Sequence, residues 1–148
     1  MKTRGALAVV VIVLFLSVVP NAEASRDDAC TLASLHGSYG FTSTGTLKIT
    51  GFSGPVANVG VFTFDGEGNL SQDLTNIRDG MRNDLFNLAG TYTVNADCTG
   101  SWVRGVTAAN FVIVAGGREV MFIRTDPGAT VTGLLRKQFR HDKKGDDN

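Results

Sequence analysis

The chain has 148 residues, 14 Lys and Arg against 14 Asp and Glu, and 43% hydrophobic residues. That length is one domain's worth and is enough to bury a real core. The balanced charge gives no electrostatic footing for nucleic acid or an anionic membrane surface as a partner. Gly 18 against Pro 3 suits short strands joined by glycine turns rather than a disordered linker.

Residues 1–24 read as a secretory signal peptide. Lys2 and Arg4 make a basic start, residues 6–19 are apolar apart from Ser17, Pro20 breaks the run, and Ala22-Glu23-Ala24 fits a cleavage site. The rival reading is an uncleaved anchor, but a span needs roughly 20 apolar residues and this run is shorter. Cleavage leaves residues 25–148 with one more acidic than basic residue and no stable membrane span. The expected location is secreted or periplasmic.

Residues 25–36 form a polar lead-in, within which Leu32 to His36 has room for one helical turn. The first strand opens at Gly37-Ser38-Tyr39-Gly40-Phe41 and runs on past Leu47 and Ile49. Gly51 to Pro55 reads as a turn cluster. Val59 to Leu70 is the organising stretch: a strand, a tight Asp65-Gly66 turn of the primed type, and the returning strand. Phe62 and Phe64 share one face, and Val59, Val61 and Thr63 the other. Ser71, Gln72 and Asp73 mark a wetter face on the return to Ile77, and Asp79-Gly80 is a further turn signal. Asn83 to Leu88 reads as a short strand and Gly90 to Asn95 as the next one. Ala96 to Gly100 turns, Ser101 to Val106 returns, and Asn110 to Val114 pairs across Ala115-Gly116-Gly117 with Arg118 to Arg124. Asp126-Pro127-Gly128 turns once more before a last strand, Thr130 to Phe139, and residues 140–148 form a charged, flexible tail.

Eight or nine strands at regular spacing with short connections are the signature of an all-β sandwich or barrel. Successive hairpins favour an up-and-down meander, and a meander of about eight strands removes its exposed edges by closing. The expected fold is therefore a closed up-and-down antiparallel β-barrel over residues 37–139, with a β-sandwich as the alternative. Val61 to Gly66 and Thr91 to Ala96 share an aromatic-Thr-apolar core before a turn, which the small vocabulary of hairpins explains without a duplication.

The segments Leu35 to Phe41, Gly60 to Gly66, Gly90 to Gly100 and Arg118 to Ile123 resemble a group of small exported bacterial β-barrel proteins. That group is similar to the allene oxide cyclase-like barrel and, more loosely, to the calycin-like lipocalin and avidin barrels. Gly37-Ser38-Tyr39 stands where lipocalins place Gly-x-Trp, with Tyr for Trp. The resemblance covers most of the mature chain and implies a barrel, while no cyclase motif carries over to residues here.

Cys30 and Cys98 are the two cysteines, and an even pair in an exported chain reads as a disulfide. The alternative, a redox or metal thiol pair, lacks a Cys-x-x-Cys and a nearby His cluster. His36 and His141 offer no ligand set, no metal or cofactor is expected, and no Gly-x-Ser-x-Gly elbow occurs. Asp65 to Asn69 resembles a calcium-loop fragment without its full ligand spacing, so a plain turn is the simpler reading. The cavity candidates are Tyr39, Phe41, Phe62, Phe64, Tyr92, Trp102 and Phe122 as an aromatic lining, with Arg104 and Glu119 as a cross-strand pair that could orient a polar ligand. Arg118 and Arg124 are further charges in or beside apolar strands. These features point to an exported barrel that binds a hydrophobic or amphipathic small molecule. A cyclase or isomerase acting in an apolar cavity and a solid structural or interaction protein of the envelope are the alternatives.

Overall fold

Alternation of side chains decides the strands. The computed structural model describes residues 29–139; the signal segment and the charged tail with His141 lie outside the described residues. Eight strands follow in chain order: β1 (His36–Ile49), β2 (Phe52–Asp65), β3 (Asn69–Arg78), β4 (Met81–Val94), β5 (Thr99–Arg104), β6 (Thr107–Val114), β7 (Glu119–Arg124) and β8 (Ala129–Lys137). Each pairs antiparallel with the next, and β8 pairs back onto β1 from Tyr39 opposite Lys137 to Leu47 opposite Ala129. The molecule is thus a closed up-and-down barrel, an architecture consistent with the calycin type, and the sandwich alternative is excluded.

Directly opposed residues share a face, so one buried residue fixes its whole row. Tyr39 lies opposite Phe62, Gly37 opposite Phe64, and Tyr92 opposite Trp102, and these aromatic residues are all buried. Phe41, Phe111, Val120, Phe122 and Leu135 complete the same inward set. Closing so narrow a barrel requires neighbouring strands to approach closely where they coil. Gly60 and Gly45 serve this: a Cβ on Gly60 would meet Asp73 O and Leu74 Cα, and one on Gly45 would meet Thr130 O and Val131 Cα.

Three local expectations are corrected. Phe52 to Pro55 is strand rather than turn. Pro55 lies opposite Thr46, and the pairing of β2 with β3 begins only at Val56, so its missing N–H forfeits no ladder bond there. The turn after Asp65 is a three-residue loop, Gly66 to Gly68, not a two-residue primed turn. Asp65 Oδ1 accepts from the Glu67 and Asn69 amides at 2.7 and 3.0 Å, and this wraps the loop around the carboxylate. A two-residue turn with positive φ at both positions falls instead at Asp79 (φ 49) and Gly80 (φ 74). Lastly, Asn83 to Leu88 and Gly90 to Val94 belong to one strand, and Asn95 lies just past its end. A bulge joins them where the register steps from Leu74 opposite Leu85 to Gln72 opposite Leu88; Asn87 there has φ 52, and its amide donates to Asp73 Oδ1 at 2.7 Å.

The two ends of the barrel differ. At one end a 3-10 turn, Leu32–Ser34, lies beneath the strands, and Leu35 is fully buried. The Tyr92 hydroxyl sits 3.0 Å from the carbonyl oxygens of both Leu32 and Leu35, and the Tyr39 hydroxyl donates to Gly117 O at 2.7 Å. The Cys30–Cys98 disulfide and the Cys30 amide, donating to Ala96 O at 3.2 Å, fasten this cap to the β4–β5 hairpin. At the other end β4 outruns its neighbour. It pairs with β3 from Met81 to Thr91 but with β5 only from Thr91 to Val94, so residues 81–89 have no strand on their second backbone edge among the described residues.

Candidate functional site: the polar mouth of the barrel

The inward residues change character along the barrel axis. Towards the capped end the rings of Tyr39, Phe64 and Tyr92 meet edge-on at 5.0–5.4 Å. Above them Phe62 stacks on Phe64 at 5.9 Å and tilts against Trp102 at 5.2 Å, and Trp102 meets Phe122 at 4.7 Å. These rings fill the barrel as a core instead of walling a deep cavity. Burial pushes the hydroxyl pKa of both Tyr39 and Tyr92 above the ordinary value.

One row further toward the open end the inward side chains turn polar. Ser43, Gln72 and Asn76 are buried. Asn58 donates to Ser43 Oγ at 2.9 Å and accepts from Asn76 Nδ2 at 2.6 Å, forming a chain across β1, β2 and β3. The Oδ1 of Asn76 and the Nε of Arg78 are buried without a partner among the described residues. Across the mouth Arg124 holds Asp126 with two bonds, Nε to Oδ1 at 2.9 Å and Nη2 to Oδ2 at 2.6 Å. Burial raises the Asp126 carboxyl, but the Arg124 bonds and charge outweigh it and hold the pKa below the usual range. Arg104 emerges beside Gly90, where a Cβ would sit 3.1 Å from its own.

These groups surround a cavity of about 40 Å³ whose floor is Phe41, Phe62, Trp102 and Phe122 and whose rim includes Ser43, Asn58, Gln72, Leu74, Arg104, Thr107 and Arg124. A larger depression, about 590 Å³, lies on the outer wall over β1, β6, β7 and β8; its lining includes Val112, Met121, Ile123 and Leu134 and carries no titratable side chain.

Of the residues singled out from sequence, Phe41, Phe62, Trp102, Arg104 and Phe122 touch this cavity, while Tyr39, Phe64 and Tyr92 lie deeper in the packed half. The expected Arg104–Glu119 pair does not form. Glu119 lies one residue before inward-facing Val120 and so faces out, where it pairs with Arg136 at 3.0 Å. Arg118 is also outside, with its Nε donating to Ala115 O. Gln72 was the least legible member. It sits between polar Ser71 and Asp73, yet parity with Leu70 and Leu74 turns it inward. Parity with Phe122 likewise places Arg124, and parity with Phe41 places Ser43.

Among the described residues no cluster of His, Cys, Asp and Glu could hold a metal ion. The Asp65 carboxylate already accepts from Glu67 and Asn69, as a plain turn does. His36 is exposed beside Gly66. No protein-family model matches the chain, and no curated protein matches it.

Proposed function

We propose that this is an exported β-barrel protein of the allene oxide cyclase-like group that binds a small amphipathic molecule at its open end. The observation that carries the reading is the cavity itself: between the aromatic core and a small apolar cluster of Leu47, Val56 and Val131, polar and cationic groups ring a space with an aromatic floor. Small-molecule sites combine these parts, an apolar surface for affinity and a few placed polar groups for orientation. The Cys30–Cys98 bond supports export, because such bonds persist in oxidising compartments.

Trp102 is the chain's single tryptophan and forms part of the cavity floor, so it reports directly on occupancy. Native mass spectrometry of protein purified from its own host is expected to show a retained low-mass component that is released on unfolding. Titration of the emptied protein with that component is expected to change Trp102 emission saturably. Protein that carries nothing, and whose Trp102 emission is unmoved by amphipathic probes, would refute the reading.

A further inference from the structure

Among the described residues the open end carries more positive than negative charge. The titratable side chains turned toward it from the surrounding strands are Arg78, Arg104, Arg124 and Asp126, three cations and one anion. Lys48, Arg82 and Asp84 alternate to the outer face. Arg124 is matched by Asp126. Arg104 has no carboxylate partner among the described residues, and its Nη2 lies 3.5 Å from Thr107 Oγ1, too long for a strong bond. Burial, then the neighbouring Arg124, press its pKa below the ordinary guanidinium value, and the charge of nearby Asp126 offsets only part of this.

The space beside it selects among anions. The cavity is small, about 40 Å³ against the roughly 300–1,000 Å³ of sites that enclose a whole ligand, so it has room for a headgroup alone. That suits a planar monoanion better than a phosphate, and the guanidinium fork matches a carboxylate through two parallel bonds. Gln72 reaches the same cavity. An apolar remainder has somewhere to go. Leu74, Leu85 and Leu88 are inward-facing, and Leu85 and Leu88 lie on the stretch of β4 that β5 leaves uncovered.

We propose that the ligand of the open end carries a carboxylate, held by Arg104 with Gln72 beside it, and that its apolar part lies along Leu74, Leu85 and Leu88. This rests on the small-molecule reading above and narrows it to a chemical class.

The test titrates the protein with octanoate and octanol, probes of equal chain length, at low ionic strength, following Trp102 emission. Octanoate is expected to bind roughly tenfold or more tightly than octanol, as a charge-assisted bidentate bond implies. Arg104→Gln should bring the two probes close to parity, Arg104→Lys should keep part of the preference, and Arg82→Gln on the outer face should leave it intact. Equal binding of both probes to the wild type, or a preference that survives Arg104→Gln, overturns the carboxylate assignment and leaves small-molecule binding standing. Failure of both probes to bind overturns the open-end reading and this inference with it. Should Arg104→Gln fail to fold, the wild-type comparison and Arg104→Lys decide the matter.

Discussion

Phe62 shows how one side chain serves both stability and the site. It is 2% exposed, contacts the rings of Phe41, Phe64 and Trp102, and reaches the floor of the mouth cavity. Truncation to Phe62→Ala removes these contacts from a wall that cannot collapse, so urea denaturation should show a loss of about 3–5 kcal/mol. Asp65 has a different role at the far end of the same strand. Its hydrogen bonds from the Asn69 side chain and then the Glu67 and Asn69 amides lower its pKa from 3.8 to about 2. A carboxyl depressed on folding contributes stability above its unfolded value and loses it as pH falls through the folded value. Melting temperature should therefore drop between about pH 4 and pH 2, and Asp65→Asn should flatten that part of the profile. The aromatic rows were legible in the sequence because alternation with small or polar neighbours leaves one reading of the face. Ser43, Asn58 and Gln72 were not, because a polar residue in a strand looks solvent-facing until its register is known; Ser43 and Asn58 are satisfied by residues directly opposite on the neighbouring strands.

At the scale of elements, most turns could be placed from Gly and Asp positions, whereas the turn at Gly105-Val106, read as strand, and the continuity of β4 could not. A bulge with φ 52 at Asn87 has no sequence mark beyond Asn itself, and its support comes from Asp73 on another strand. The bulge has a measurable signature. Along residues 81–89 only one backbone edge is paired, so amides should alternate between slow and fast hydrogen exchange. The inserted residue should then swap the protected set between odd and even numbers on crossing Asn87. Exchange measured by NMR residue by residue that keeps one parity throughout would contradict the bulge. The Cys30–Cys98 bond spans a sequence separation of 68 and ties the 3-10 turn to the β4–β5 hairpin. Its reduction, or the double change to serine, should destabilise the chain by about 2–5 kcal/mol in denaturant unfolding.

For the whole molecule, closure of β8 onto β1 was inferable because an open eight-strand meander would leave two bare edges, and the observed pairing removes both. The polar row lying between two buried apolar clusters was not inferable, since it depends on where each inward row falls along the axis once the strands are staggered. The cap has a kinetic consequence. The 3-10 turn, Leu35 and the two tyrosine hydroxyl bonds block one end, leaving the opposite mouth as the doorway for any occupant. Arrival and departure must then share a single path, in single file. A second molecule cannot push from behind, so a bound probe should leave at a rate independent of how much competitor is added. Stopped-flow displacement followed by Trp102 emission should give one first-order rate across all competitor concentrations, whereas a passage open at both ends would let the rate climb.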